Sequence, residues 1–420
     1  MIETAKQQER AILVGVELQE TENFDMSMEE LASLAKTAGA EVVASYTQKR
    51  ERYDSKSFVG SGKLEEIKAM VDTDEITTVI VNNRLTPRQN TNLEAAFGVK
   101  VIDRMQLILD IFAMRARSHE GKLQVHLAQL KYMLPRLSGQ GIMLSRQAGG
   151  IGSRGPGESQ LELNRRSIRN QIADIERQLK IVEKNRETIR EKRVDSTTFK
   201  IGLIGYTNAG KSTIMNLMTD DKQYEANELF ATLDATTKKI YLKDQFQVTL
   251  TDTVGFIRRL PHHLIKAFYS TLEEITVADA VLAVADISDP ECPHQLDVTK
   301  KMLSDLGADE KPVIYVFNKA DIIGDSLILS ECGINSDDAV YISARTGMGI
   351  DKLIRRISEI VLSGRTRETF FIPNTELGVL SSLYSCASVE SVDYGSEGAA
   401  VIAVVDAKTK GQYAAYLTDN

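Results

Sequence analysis

The octapeptide GYTNAGKS, Gly205–Ser212, constrains this chain more than any other stretch, because it closes an apolar run, FKIGLIG, and fits the spacing G-x-x-x-x-G-K-[ST]. A loop of this kind works only where a strand delivers it to the end of a parallel sheet and a helix begins at its close. Backbone N–H groups and the positive helix end can then surround a phosphate. The chain is therefore expected to contain a doubly wound α/β sheet. In it, Gly205, Tyr206, Thr207, Asn208, Ala209 and Gly210 form the wrap, Lys211 neutralises β/γ charge, and the Ser212 hydroxyl is placed to ligate Mg²⁺.

Three further motifs follow in order, each at the end of a β-rich run. NKAD, Asn318–Asp321, decides between purines by hydrogen-bond arithmetic. Guanine offers N1–H and N2–H₂ donors that one carboxylate, Asp321, can accept together, whereas adenine would leave that carboxylate desolvated and unpaired. GTP and GDP are therefore expected over adenine nucleotides. Asn318 would bridge the base and the phosphate loop, the Lys319 stem would cover the ring, and Ala320 completes the motif. SAR, Ser343, Ala344 and Arg345, would offer backbone N–H to guanine O6, with Arg345 beside the base. DTVG, Asp252, Thr253, Val254 and Gly255, would hold Mg²⁺ through water at Asp252 and sense the γ-phosphate with the Gly255 N–H.

Between the phosphate loop and DTVG lies FATLDATTKK, which offers a switch threonine that closes on Mg²⁺ when γ-phosphate is present. Thr232 is the first choice, with Thr236 and Thr237 as alternatives. The residue after DTVG is Phe256, where a water-orienting glutamine stands in Ras-like enzymes. Phenylalanine cannot orient water, so slow hydrolysis by the isolated protein and faster hydrolysis on a partner are expected. Asn208 is also a candidate K⁺ ligand, and unchanged turnover on replacing K⁺ by Na⁺ would remove that expectation.

The rest of the chain reads as three further parts. Residues 11 to 103 alternate short β-rich runs with helical patterns, as in a small parallel α/β domain. Within them VGSGKLEEI lacks the spacer and the Ser/Thr of a phosphate loop, so a turn with a helix start is expected there. Apolar residues then fall at Leu123, Leu127, Leu130, Leu134 and Leu137, and again at Ile168, Ile172, Ile175, Leu179, Val182 and Ile189. These four-three steps predict an antiparallel helical hairpin joined by the glycine-rich stretch GGIGSRGPGESQLE. The expected boundaries are 1–112 for the N-terminal α/β domain, 113–196 for the hairpin, 197–363 for the P-loop domain and 364–420 for a small α+β appendage.

Charge is unevenly spread. The chain is −8 overall, yet Arg115–Arg193 carries 17 Lys/Arg against 8 Asp/Glu, or +9. That asymmetry points to a polyanion. The cysteines Cys292, Cys332 and Cys386 and the pair His262 and His263 have no metal-ligand spacing and are assigned no chemistry. No apolar run reaches the ~20 residues of a membrane span, and MIETAKQQER lacks the features of a signal peptide, so a cytoplasmic protein is expected.

Taken together, the loop GxGSRGPGESQLE, FATLD, DTVGF, NKAD and SAR resemble the HflX family of translation-associated GTPases, over about Val14 to Arg355. RGPGE with the following QLE is the most family-specific part. The resemblance implies a GTPase that binds the large ribosomal subunit and its rRNA and helps separate stalled ribosomes. Carried onto matching positions, Ser212 and Thr232 ligate Mg²⁺, and Phe230, Ala231, Thr232, Leu233 and Asp234 form the switch. Lys211, Thr232 and Gly255 act on the reacting phosphate.

Under this reading the glycine-rich stretch is a flexible tip, where Arg146 and Arg154 could approach RNA, or an interdomain loop that senses nucleotide state. The competing function class is a regulatory GTPase acting on a protein partner at a membrane surface, with the hairpin as an oligomerisation surface. Nothing in the sequence demands more than a monomer.

Overall fold

The computed structural model describes residues 9–20, 23–137, 156–193, 198–219, 230, 235–242, 247–257, 272–322 and 333–418. Its contacts divide the chain into two units. The first is Met1–Glu183 with Glu228–Leu233 and Arg258–Phe268; the second is Lys184–Asn227, Asp234–Ile257 and Tyr269–Asn420.

In the first unit four parallel strands, β1 (Arg10–Glu17), β2 (Glu41–Lys49), β3 (Thr78–Val81) and β4 (Lys100–Asp103), form a sheet in the order β2-β1-β3-β4. Strand β1 is buried along nearly its whole length, as expected of a central parallel strand covered on both faces. On one face Ile12, Val14 and Val16 pack with Ile67, Leu93 and Val101. Helix α1 (Phe24–Thr37) lies so close to β1 that a Cβ on Gly15 would fall 2.5 Å from Met28 Sδ. Helix α2 (Ser61–Thr73) begins at GSGK, and Lys63 there pairs with Glu66 at 2.7 Å, so this motif is the helix start its spacing implied. Helix α3 (Pro87–Phe97) carries a capping box between Thr86 and Gln89, with Pro87 in its first turn.

Helices α4 (Arg104–Arg115) and α5 (His119–Met133) follow, capped by Asp103 and Ser118. The fully buried Asp103 accepts from Leu85 N at 3.0 Å, Tyr132 Oη at 2.6 Å and Arg136 Nη2 at 2.8 Å, which ties the end of α5 to the sheet. The buried face of α5 is Gln124, Val125, Ala128, Leu130 and Tyr132, while Leu123, Leu127 and Leu134 are half-buried. The expected leucine seam is thus rotated, because α5 packs on α4. Helix α6 (Pro156–Arg193) begins inside the glycine-rich stretch at its proline, so the part of that stretch from Pro156 onward is helix. Among the seam residues of α6 whose burial is described, Ile175 is buried and Ile168, Ile172, Leu179 and Val182 are half-buried; Lys131 pairs with Glu176 at 2.7 Å. Arg146 and Arg154 lie outside the described residues.

The second unit holds a six-stranded sheet in the order β10-β9-β8-β5-β7-β6. Its strands are β5 (Phe199–Gly205), β6 (Thr236–Tyr241), β7 (Gln247–Asp252), β8 (Ala280–Asp286), β9 (Val313–Asn318) and β10 (Ala339–Tyr341). All neighbours are parallel except the edge strand β6. Helices α7 (Lys211–Met218), α8 (Cys292–Asp305) and α9 (Ile350–Ser363) flank it, and Leu203, Ile214, Leu250, Val316 and Leu353 share one core. After α9 come β11 (Arg365–Pro373), α10 (Gly378–Cys386), β12 (Ser388–Tyr394), β13 (Gly398–Asp406) and α11 (Ala407–Gln412). The three strands pair antiparallel as β11-β13-β12, giving the small α+β appendage expected from the sequence.

Candidate nucleotide site

The phosphate loop joins β5 to α7, at the carboxyl end of the central strand of the second unit. Its backbone explains its glycines. Gly205 has φ 149° and a Cβ there would sit 2.1 Å from Val284 O; Gly210 has φ 95° and a Cβ would meet Asn318 Nδ2 at 2.1 Å. Asn208 takes the left-handed conformation with φ 62°, which asparagine tolerates better than most residues.

Lys211 is buried, and its Nζ donates to Gly205 O at 3.0 Å and Tyr206 O at 2.7 Å. Burial depresses its pKa to about 8, against the attraction of Asp252. Ser212 Oγ donates to Asp252 Oδ2 at 2.6 Å, and Asp252 is fully buried at the end of β7. A serine hydroxyl and a carboxylate this close supply hard oxygen donors of the kind Mg²⁺ takes.

DTVG lies against the same loop. Thr253 Oγ1 donates to Leu203 O at 2.6 Å, and a Cβ on Gly255 would fall 2.8 Å from both Lys211 Nζ and Thr207 Cα. Phe256 N–H donates to Gly205 O at 3.1 Å and Thr207 N–H donates to Phe256 O at 2.7 Å, a short parallel bridge between the phosphate loop and the residue after DTVG. The Phe256 ring is buried with Tyr206, Leu272 and Ile275 and meets Tyr206 edge-on at 6.2 Å. It packs away from polar chemistry, in accord with its inability to orient water.

Asn318, buried at the end of β9, donates Nδ2 to Ala209 O at 2.8 Å and accepts Ala344 N–H at 2.9 Å. One side chain therefore joins NKAD, the phosphate loop and SAR. Ala320 N–H donates to Ile342 O at 3.0 Å, while Ser343 is fully buried. Arg345 Nη2 lies 2.7 Å from Asp321 Oδ2. Hydrogen bonds from the Ser343 side chain and then from Arg345 hold the Asp321 carboxyl below the usual carboxylate range.

Two threonines considered for the switch are built into the sheet. Thr236 and Thr237 lie on β6 opposite Asp252 and Thr251, and Thr237 Oγ1 is 2.9 Å from Thr251 Oγ1. The first choice, Thr232, lies outside the described residues with Ala231, Leu233 and Asp234. Phe230 is buried with φ 57°, its ring edge-on to Phe112 of α4 at 4.5 Å, and is grouped with the first unit rather than with the phosphate-loop residues. His262, His263 and Cys332 also lie outside the described residues, and Cys292 is buried. Among the described residues no cluster of His, Cys, Asp and Glu could hold a metal by itself.

Sequence reasoning overlooked Asp286. It ends β8, and its carboxylate reaches Lys319 Nζ at 2.5 Å and Ser288 Oγ at 2.6 Å. The available signal was an apolar strand, AVLAVAD, closing on an acid before the turn SDP.

Residues 25–113 match the GTP-binding GTPase N-terminal family, residues 115–193 the GTP-binding GTPase middle region, and residues 200–319 the 50S ribosome-binding GTPase family. The chain is 46% identical over 410 residues to the GTPase HflX of Caldanaerobacter subterraneus, covering 98% of this chain and 94% of that protein. It is 41% identical over 384 residues to the GTPase HflX of Escherichia coli, covering 91% and 90%. A GTP-binding protein from Sulfolobus solfataricus, solved in complex with GDP, is 25% identical at a TM-score of 0.50, covering 84% of this chain and 99% of that one.

Proposed function

Because the chain belongs to the HflX family of P-loop GTPases, we propose that in its GTP state it binds the large ribosomal subunit, helps separate or rescue stalled ribosomes, and is reset by hydrolysis to GDP and phosphate. The observation that carries this is α6, which exposes Arg166, Arg169, Arg177, Lys180 and Lys184 along a helix with little apolar surface to bury. A helix of this kind gains little by folding onto a core and much by neutralising phosphates. The match of residues 200–319 to the 50S ribosome-binding GTPase family supports the same partner.

In the nucleotide site the proposed division of labour follows the geometry. Lys211 and the loop N–H groups of residues 205–212 hold the phosphates, and Asn318, Asp321 and residues 343–345 read guanine. Ser212 and Thr232 would ligate Mg²⁺, with Asp252 behind Ser212; the ion would supply neutralisation of the phosphate charge. Lys211 Nζ has three donors and gives two of them to the carbonyls of Gly205 and Tyr206, so it can engage a phosphate oxygen while still held by the loop backbone. Gly255 is packed close to that ammonium. Asn208 is the residue proposed for K⁺.

GTP turnover by the purified protein, with and without ribosomes or large subunits at low and high salt, tests the reading. Strong stimulation that fades with salt is expected. Tight GTP binding with neither stimulation nor co-sedimentation would overturn it and favour a protein partner. No described helix is long and apolar enough to cross a membrane.

A further inference from the structure

Asp286 stands in the same register row as Asn318, on the neighbouring strand, without belonging to any nucleotide motif. Ile287 N–H donates to Asn318 O at 3.1 Å, so the backbone after β8 is fixed against the start of NKAD. The Asp286 carboxylate is itself held. Oδ1 accepts Ser288 N–H at 3.0 Å and Ser288 Oγ–H at 2.6 Å, leaving Oδ2 turned to Lys319 Nζ at 2.5 Å. The side chains of Lys319 and Asp286 are 28% and 16% exposed, so this pair is partly removed from the solvent screening that weakens surface ion pairs.

Lys319 also has φ 62°, a left-handed backbone that lysine rarely adopts. It belongs to the loop that sets Asn318 on Ala209 and Ala344. A strained residue with a long, flexible side chain needs a partner at its far end if the stem is to keep one course.

We infer that Asp286 is a positioning residue for guanine nucleotide, anchoring the Lys319 ammonium so that the lysine stem lies where the purine face binds. The inference rests on the reading of NKAD as the base site. Asp286 acts through Lys319 on the face of the ring, whereas Asp321 reads its edge. Every purine has the same face, so losing Asp286 weakens guanine and hypoxanthine nucleotides in equal proportion and leaves the preference between them unchanged.

The experiment compares full-length wild type, Asp286→Asn, Lys319→Met and the double variant, measuring GDP and IDP affinity and the dissociation rate of a fluorescent GDP. Asp286→Asn is expected to raise both dissociation constants about tenfold, mainly through faster release. The double variant should be no weaker than Lys319→Met alone, a non-additivity that a general loss of folding would not give. Should Asp286→Asn fail to fold, Ser288→Ala replaces it; it keeps the charge but loosens its aim, and should weaken both nucleotides about threefold.

Unchanged binding in Asp286→Asn overturns the inference. So does full additivity with Lys319→Met, or a shift in the GDP-to-IDP ratio, which would place Asp286 on the base edge. A wild-type protein that binds ADP as well as GDP would instead remove the base-site reading itself.

Discussion

At the residue scale, the burial of Lys211 has a direct electrostatic consequence for nucleotide binding. Its pKa is lowered to about 8 by burial, so the nucleotide-free protein begins to lose this charge just above neutral pH. Phosphate favours the charged form, and binding above pH 8 must take up a proton. GDP affinity should therefore be level below pH 8 and fall by up to about tenfold per pH unit above it, as titration calorimetry from pH 6.5 to 9.5 would measure. The sign for folding is opposite: the unfolded chain keeps this proton to higher pH, so the group's contribution to nucleotide-free stability grows from about pH 8 upward and is lost as pH falls through 8. Asp321 gives a second prediction. Its carboxyl is held low by Ser343 and Arg345, so it is an acceptor at neutral pH. Asp321→Asn exchanges one acceptor for a donor, and should cost about a hundredfold in GDP affinity while gaining affinity for xanthine nucleotides, whose C2 oxygen needs a donor. Unchanged GDP binding in that variant would remove Asp321 from the base site.

At the scale of elements, the phosphate loop and DTVG behave as one clasp, because Phe256 exchanges backbone hydrogen bonds with Gly205 and Thr207. Gly255 sits inside this clasp. A methyl group there meets Thr207 Cα, a backbone atom that cannot swing aside as the Lys211 ammonium can. Gly255→Ala should leave GDP binding nearly intact and slow single-turnover hydrolysis about ten- to a hundredfold, because the Gly255 N–H is displaced from the reacting phosphate. Equal turnover in wild type and variant would separate Gly255 from hydrolysis. Helix α4 supplies a packing prediction: Phe112 is fully buried and holds Phe230 edge-on. Phe112→Ala should destabilise the first unit by about 3–5 kcal/mol, read as lost hydrogen-exchange protection in α4 and β1.

For the whole molecule, an acidic chain with a basic middle region should show ribosome affinity dominated by the release of counterions. Replacing Arg165, Arg166 and Arg169 of α6 by alanine is expected to lower the slope of log affinity against log salt by about 2 to 3 while leaving GDP affinity unchanged. A slope that does not move would place the contact elsewhere. Ribosome-stimulated turnover should fall in parallel, since the partner is expected to complete a site whose Phe256 ring is packed in an apolar cluster.

The sequence by itself determined the sheet architecture and the order of the nucleotide motifs. A phosphate loop demands its strand, its helix and its glycines, and those demands are local. It equally identified the helix start at GSGK and the α+β appendage, where turn residues and alternation speak plainly. Tertiary structure alone decided which face of α5 is buried, since leucines at heptad spacing fit several partners and α5, packed against α4, buries Val125 and Ala128. It drew Thr236 and Thr237 into β6, because an edge strand is fixed by pairing with β7 rather than by its own residues. It also brought Asp286 to Lys319 across 33 residues of chain. The acid at the end of AVLAVAD is legible in the sequence, but its partner is not: that is decided by the neighbouring strand that a parallel crossover sets beside it.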